Sequence, residues 1–162
     1  MVTVRAVSER EDADAIWSIL EPVIRAGETY TLPRDLGREE AMAYWLEKGH
    51  EVFVAEDASV VVGTYYLRAN HRGGGEHVAN CGYMTAKAAT HRGIARRMCE
   101  HSLERARERG FRAMQFNFVV STNQRAVWLW QSMGFEIVGK LAEAFLHPEE
   151  GYVDAFVMYR QL

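Results

Sequence analysis

At 162 residues the chain has the length of one ordinary domain, and 48% hydrophobic with 25% charged residues can build a core without metal or disulfide support. A net charge of −3 argues against a nucleic-acid binder, which carries a basic surplus. No apolar run approaches the roughly 18 residues of a membrane span.

Met1-Val2-Thr3-Val4-Arg5 lacks the basic-then-apolar pattern of a signal peptide. Cys81 and Cys99, the two cysteines, have no CxxC spacing and no metal-ligand partner. A reducing compartment follows. The expected location is cytoplasmic, with no metal, membrane or nucleic-acid partner.

Val2 to Val7 alternates as a short strand. Ala13, Ile16, Trp17, Leu20 and Ile24 then fall on one helical face, with Pro22 expected to bend or end the helix and Gly27 suited to its exit. A loop from Gly27 to Gly37 leads to a second helix over about 38–48. Residues 51–56 and 60–70 read as strands joined by a hairpin at Asp57-Ala58-Ser59. Gly73-Gly74-Gly75 precedes a strand over 77–85, and a helix over 94–109 closes at Gly110. In the strand 113–120, Met114, Phe116 and Phe118 are expected on one face, with Gln115, Asn117 and Val119 on the other. A helix over 123–133 and two strands, near 136–141 and 153–160, complete the chain. With no repeat or linker, residues 1–162 read as a single domain. Hairpins mixed with helical crossovers imply an α/β fold, one mixed sheet with helices on both faces.

The segment from Tyr83 to Arg97 passes from a strand, through a loop of small residues, into a helix. Gly93 and Ala95 leave the turn open to a ligand. The first N–H groups of the helix lack internal partners and sit at its positive end, an arrangement suited to phosphate. Arg92, Arg96 and Arg97 add positive charge there. Neither GxxxxGK(S/T) nor GxGxxG is present, which disfavours nucleotide hydrolysis and dinucleotide binding.

This loop resembles the acetyl-CoA loop of the GCN5-related N-acetyltransferases, whose pattern is Arg/Gln-x-x-Gly-x-Gly/Ala. Gly93-Ile94-Ala95 fills its second half, and Thr90 stands at its first position. Asn123 through Phe135 is similar to the same family's Asn-x-x-Ala-x-x-Leu-Tyr/Trp-x-x-x-Gly-Phe block. The resemblance implies a sheet of about seven strands and acetyl-CoA as co-substrate. Its pantetheine arm would enter between the strands 77–85 and 113–120 and pair with Tyr83, Met84 and Thr85. The diphosphate would rest on His91, Arg92, Gly93, Ile94, Ala95 and Arg96, with Asn123 and Trp130 beside the arm. The resemblance also admits a homodimer.

Acetyl transfer needs a neutral amine, a donor for the thioester oxygen, and a proton for the departing thiolate. In many relatives that proton comes from a tyrosine where this chain has Trp130, an indole without acidity to offer. Tyr83, Tyr152 and Tyr30 are the substitutes. Glu21 and His77 are candidate bases. Asn80 and Asn117, polar residues in apolar strands, mark the acceptor site together with Tyr30, His147 and Tyr152. The expected acceptor is a small-molecule amine: an amino acid, an amino-acid analogue or a polyamine. Peptide acetylation and a CoA-binding module without turnover are the alternatives.

Overall fold

The computed structural model describes residues 1–162. Its elements run β1 (Val2–Ala6), α1 (Glu9–Ala26), α2 (Arg38–Trp45), β2 (Glu51–Asp57), β3 (Val60–Ala69), β4 (Val78–Thr85), α3 (Ile94–Glu108), β5 (Ala113–Val120), α4 (Gln124–Ser132), β6 (Glu136–His147) and β7 (Gly151–Gln161). All seven strands join one sheet in the order β1-β2-β3-β4-β5-β7-β6. Every neighbouring pair is antiparallel except β4–β5. No helix is long and apolar enough to cross a membrane.

The period-2 alternation of the strands divides the core in two. On one face α3 (Ile94, Met98, Leu103) and α4 (Trp130) cover Tyr65, Leu67, Cys81, Met114 and Phe116. On the other, α1 (Ile16, Leu20, Ile24) and α2 (Ala41, Trp45) cover Val54, Tyr66 and Met84. Both cysteines are free and buried.

Three local features depart from the sequence expectation. Helix α1 runs through Pro22 and ends at Gly27, whose φ is 64°. The buried stripe Ile16, Ile19, Leu20 and Ile24 spans both sides of the proline, so packing holds a turn that has lost one hydrogen bond. Strand β6 extends to His147, because its pairing with β7 resumes at Phe145 after an irregularity beyond Leu141. In β5 the register shifts between Phe116 and Val119. That extra residue resets the alternation: Val119 joins Met114 and Phe116 in the core, and Phe118 packs near Phe145, ring centroids 6.1 Å apart.

The pair that positions the site is β4–β5. Only Val78 with Ala113 and Ala79 with Met114 are in register, and the strands then diverge. Where pairing stops, the Asn80 side chain spans the gap, its Nδ2 donating to the Gln115 carbonyl at 2.9 Å.

Candidate active site

Strand β4 shows which of its backbone groups face the gap. Asn70 N–H donates to the Val78 carbonyl, and Ala86 N–H to that of Val62, so even-numbered residues of β4 pair with β3. By alternation Cys81, Tyr83 and Thr85 turn their N–H and C=O groups toward β5, which has moved away. They form an unpaired strand edge inside the protein. An extended ligand with amide groups fits such an edge as an added strand. Met84, expected among the pairing residues, has its backbone committed to the ladder with β3.

One of these groups is taken. The Tyr30 hydroxyl, from the α1–α2 connection, donates to the Tyr83 carbonyl at 2.9 Å. Burial raises the Tyr30 pKa far above that of a free phenol, so the group keeps its proton. The gap opens into a cleft of about 540 Å³ that passes through the sheet. Tyr30, Tyr44, Tyr66, Arg68, Asn80 and Asn117 line its α1–α2 side. Thr90, Ala95, Asn123, Arg125 and Ala126 line its α3–α4 side. No aspartate, glutamate or histidine lines it, and its charged residues are Arg68 and Arg125.

The α3–α4 end is built for an anion. Gly93, with φ 77°, turns the chain into α3, and no side chain caps the helix. The N–H groups of Ile94, Ala95 and Arg96 therefore point outward at the positive end of a helix of 15 residues. Nothing lies within 4 Å of where a Gly93 Cβ would stand. Ile94 is 1% exposed and anchors this turn in the core.

The cations expected here are otherwise engaged. Arg92 pairs with Asp57 at the β2–β3 turn. Arg96 reaches along α3 to Ser132 Oγ at 2.8 Å and Met133 Sδ at 3.1 Å. Arg125, not singled out from sequence, lines the cleft instead and donates to His91 Nε2 at 2.8 Å. Asn123 caps α4, its Oδ1 accepting from the Ala126 N–H at 3.4 Å, and also lines the cleft.

Other candidates separate cleanly by position. The Tyr83 hydroxyl is turned away from the gap into the α3 face, 2.7 Å from Ser102 Oγ, which removes it as a proton donor. Trp130 packs on the same face, its ring 5.0 Å from those of Tyr83 and Phe116. His77 is exposed at the closed end of the β4–β5 pair, its carbonyl bonded to Arg112 N–H. Six residues of strand, roughly 20 Å, part it from Tyr83. Glu21 is on the solvent side of α1, 3.7 Å from Arg25. His147 caps the β6–β7 turn, its Nδ1 accepting from Glu149 and Glu150 N–H at 3.2 Å each. Tyr152 is 68% exposed. None of these four lines the cleft.

An open strand edge ending beside an uncapped helix suits a long carrier that has both amides and phosphates. The sequence model of the Acetyltransferase (GNAT) family matches residues 14–135, and the chain belongs to that family. It is similar to the N-acetyltransferase aca1 of Schizosaccharomyces pombe, 26% identical over 151 residues, covering 83% of this chain and 72% of that protein. A GCN5-related N-acetyltransferase from Kribbella flavida superposes with a TM-score of 0.95 at 41% identity, over 99% of this chain and 98% of that one. The fold is also shared with yncA, a putative acetyltransferase from Salmonella typhimurium solved with its cofactor acetyl-CoA (TM-score 0.86, 20% identity, 100% and 94% covered). This chain is an acetyl-CoA-dependent N-acetyltransferase.

Proposed function

We propose that the enzyme, acting as one cytoplasmic domain, acetylates a small-molecule amine that enters the cleft from the α1–α2 side. The observation that carries this reading is the set of side chains that walls that side. Thr29, Tyr30 and Thr31 of the α1–α2 connection, Tyr44 of α2 and Tyr66 of β3 wall it, and the whole cleft holds about 540 Å³. That is the size of a small-molecule site, part of which the carrier's arm would fill.

Acetyl-CoA, when bound, supplies an activated acetyl group: the amine lone pair forms the C–N bond, the C–S bond breaks, nitrogen gives up a proton and sulfur takes one. The protein's own groups would serve as follows. The N–H groups of Ile94, Ala95 and Arg96 hold the diphosphate, with Arg125 adding charge. The edge of Cys81, Tyr83 and Thr85 fixes the arm, and an N–H of that edge faces the thioester oxygen. Tyr30 Oη keeps its own proton and donates a hydrogen bond to the departing sulfur, which takes its proton from water. Among the phenols considered for that task, it is the one with its hydroxyl in the gap. No side chain of the cleft is a base of suitable pKa, so the amine loses its proton to water.

Thiol release measured across a panel of small amines and free-N-terminal peptides tests the reading. Turnover of small amines is the expected result. Activity confined to peptides would overturn it.

A further inference from the structure

We propose that the acceptor is an amine carrying an anionic group, a carboxylate in the simplest case, and that Arg68 receives that group. The inference rests on the small-amine reading above and names the substrate class of the same cleft.

On the α1–α2 face, Arg68 of β3, Asn80 of β4 and Asn117 of β5 line the cleft, with Gln115 and, just past β3, Asn70 bonded behind them. Asn80 orients the arginine. Its Nδ2 is committed to the Gln115 carbonyl, so Oδ1 is the end that accepts from Arg68 Nε, at 3.1 Å. The remaining guanidinium N–H groups have no partner, and no carboxylate pairs with them. The neighbouring amides of this face bond one another. Asn117 Oδ1 accepts from Gln115 Nε2 at 2.9 Å, and Asn70 Oδ1 from Asn117 Nδ2 at 2.7 Å. Asn70 Nδ2 is left buried without a partner.

Arg68 is therefore a half-buried cation with open donors, lining a cleft that has no acidic residue. A guanidinium whose Nε is already fixed presents its Nη groups to a carboxylate with little further ordering. A polyamine, with two or more positive charges and no anion, is repelled by the same surface. An α-amino acid satisfies it.

The test compares matched pairs that differ only in the carboxylate: L-leucine with 3-methylbutylamine, L-methionine with 3-(methylthio)propylamine, L-phenylalanine with phenethylamine. Thiol release gives kcat/KM for each, calculated on the neutral-amine concentration because the carboxylated members have the lower amine pKa, in the wild type and in Arg68→Gln. A charge-assisted bond of this kind is worth about 10- to 100-fold. The wild type should prefer the carboxylated member by that factor, and Arg68→Gln should bring the ratio to within about threefold of unity while acetyl-CoA affinity holds. Arg68→Lys, which keeps the charge and loses the fork, should fall between. A wild-type ratio near one, or a ratio that Arg68→Gln leaves unchanged, overturns the inference.

A second readout is independent of turnover: calorimetric binding of N-acetyl-L-leucine against N-acetyl-3-methylbutylamine to the protein with CoA. If no amine releases thiol, the small-amine reading fails, while this binding ratio still decides for or against Arg68.

Discussion

Replacing Tyr30 by phenylalanine separates chemistry from architecture at the centre of the cleft. The change removes one atom, the oxygen that donates to the Tyr83 carbonyl at 2.9 Å, and keeps the ring beside Trp45, 6.3 Å between centroids. Leaving a buried carbonyl without its partner costs about 1–3 kcal/mol. For a chain of this length that lowers Tm by about 3–10 °C. The chemical loss is separate. A positioned hydrogen-bond donor to developing negative charge is worth about 100- to 1,000-fold. A thiol with a pKa of about 8.5 leaves tolerably unaided, which puts the expected fall in kcat near the lower end, about 100-fold. KM for acetyl-CoA should stay within about threefold, since the open N–H groups of the edge are untouched. Steady-state thiol release with acetyl donors of graded thiol pKa is the assay. The variant should be most impaired on the least acidic thiols. A variant with a lowered Tm, wild-type kcat and no added sensitivity to thiol pKa would make Tyr30 a structural residue only.

With no carboxylate or imidazole in the cleft, kcat/KM should rise about tenfold per pH unit until the acceptor's own pKa is reached; a bell with an enzyme pKa between about 6 and 7 would contradict this. Gly63→Ala would set a Cβ 2.9 Å from both Ile94 Cγ2 and Met98 Cε, pressing on the first turns of α3. A loss of about 1–3 kcal/mol in thermal unfolding is expected, together with weaker acetyl-CoA binding by calorimetry. Asp12, 4% exposed, accepts from Arg5 Nη1 and Nη2 at 2.8 and 2.9 Å and from Ser8 N–H at 2.7 Å. The Arg5 bonds, against the opposing effect of burial, hold its pKa below the usual range. A depressed folded-state pKa stabilises above the unfolded value of about 3.9 and is lost as pH falls through the folded one. Asp12→Asn should therefore cost about 1–2 kcal/mol at pH 7, discounted because Arg5 is solvent-exposed, with the gap closing below about pH 4 in urea titrations.

Much of the fold was legible because local signals and tertiary packing agree. Gly27 and Gly110 both take positive φ at the ends of α1 and α3. The two-residue turn Ala58-Ser59 (φ 48° and 65°) joins β2 to β3 where a hairpin was expected. The loop into α3 and the block from Asn123 to Phe135 carry the family and lie on either side of the β4–β5 gap.

What stayed hidden depends on register and on partners distant in sequence. One step of alternation decides both the face a β4 hydroxyl enters and the edge its carbonyl meets, and for Tyr83 these are the α3 core and the gap. Likewise His77 directly precedes β4 and Thr85 ends it, so one sits where the pair is closed and the other where it is open. Arg92 and Arg96 read as free cations because Asp57 and Ser132 are 35 and 36 residues away in sequence. Arg68 did leave a signal. It follows Thr64 and Tyr66 on the inward face of β3, and a charge in that row is unusual enough to mark a site.

Amide hydrogen exchange with and without saturating CoA tests most directly whether the unpaired edge and the uncapped helix together grip the carrier. Exchange should slow at Tyr83 and Thr85 and at Ile94, Ala95 and Arg96, and stay unchanged along the β6–β7 hairpin. Protection absent from both segments, or confined to residues outside the gap, would contradict the account.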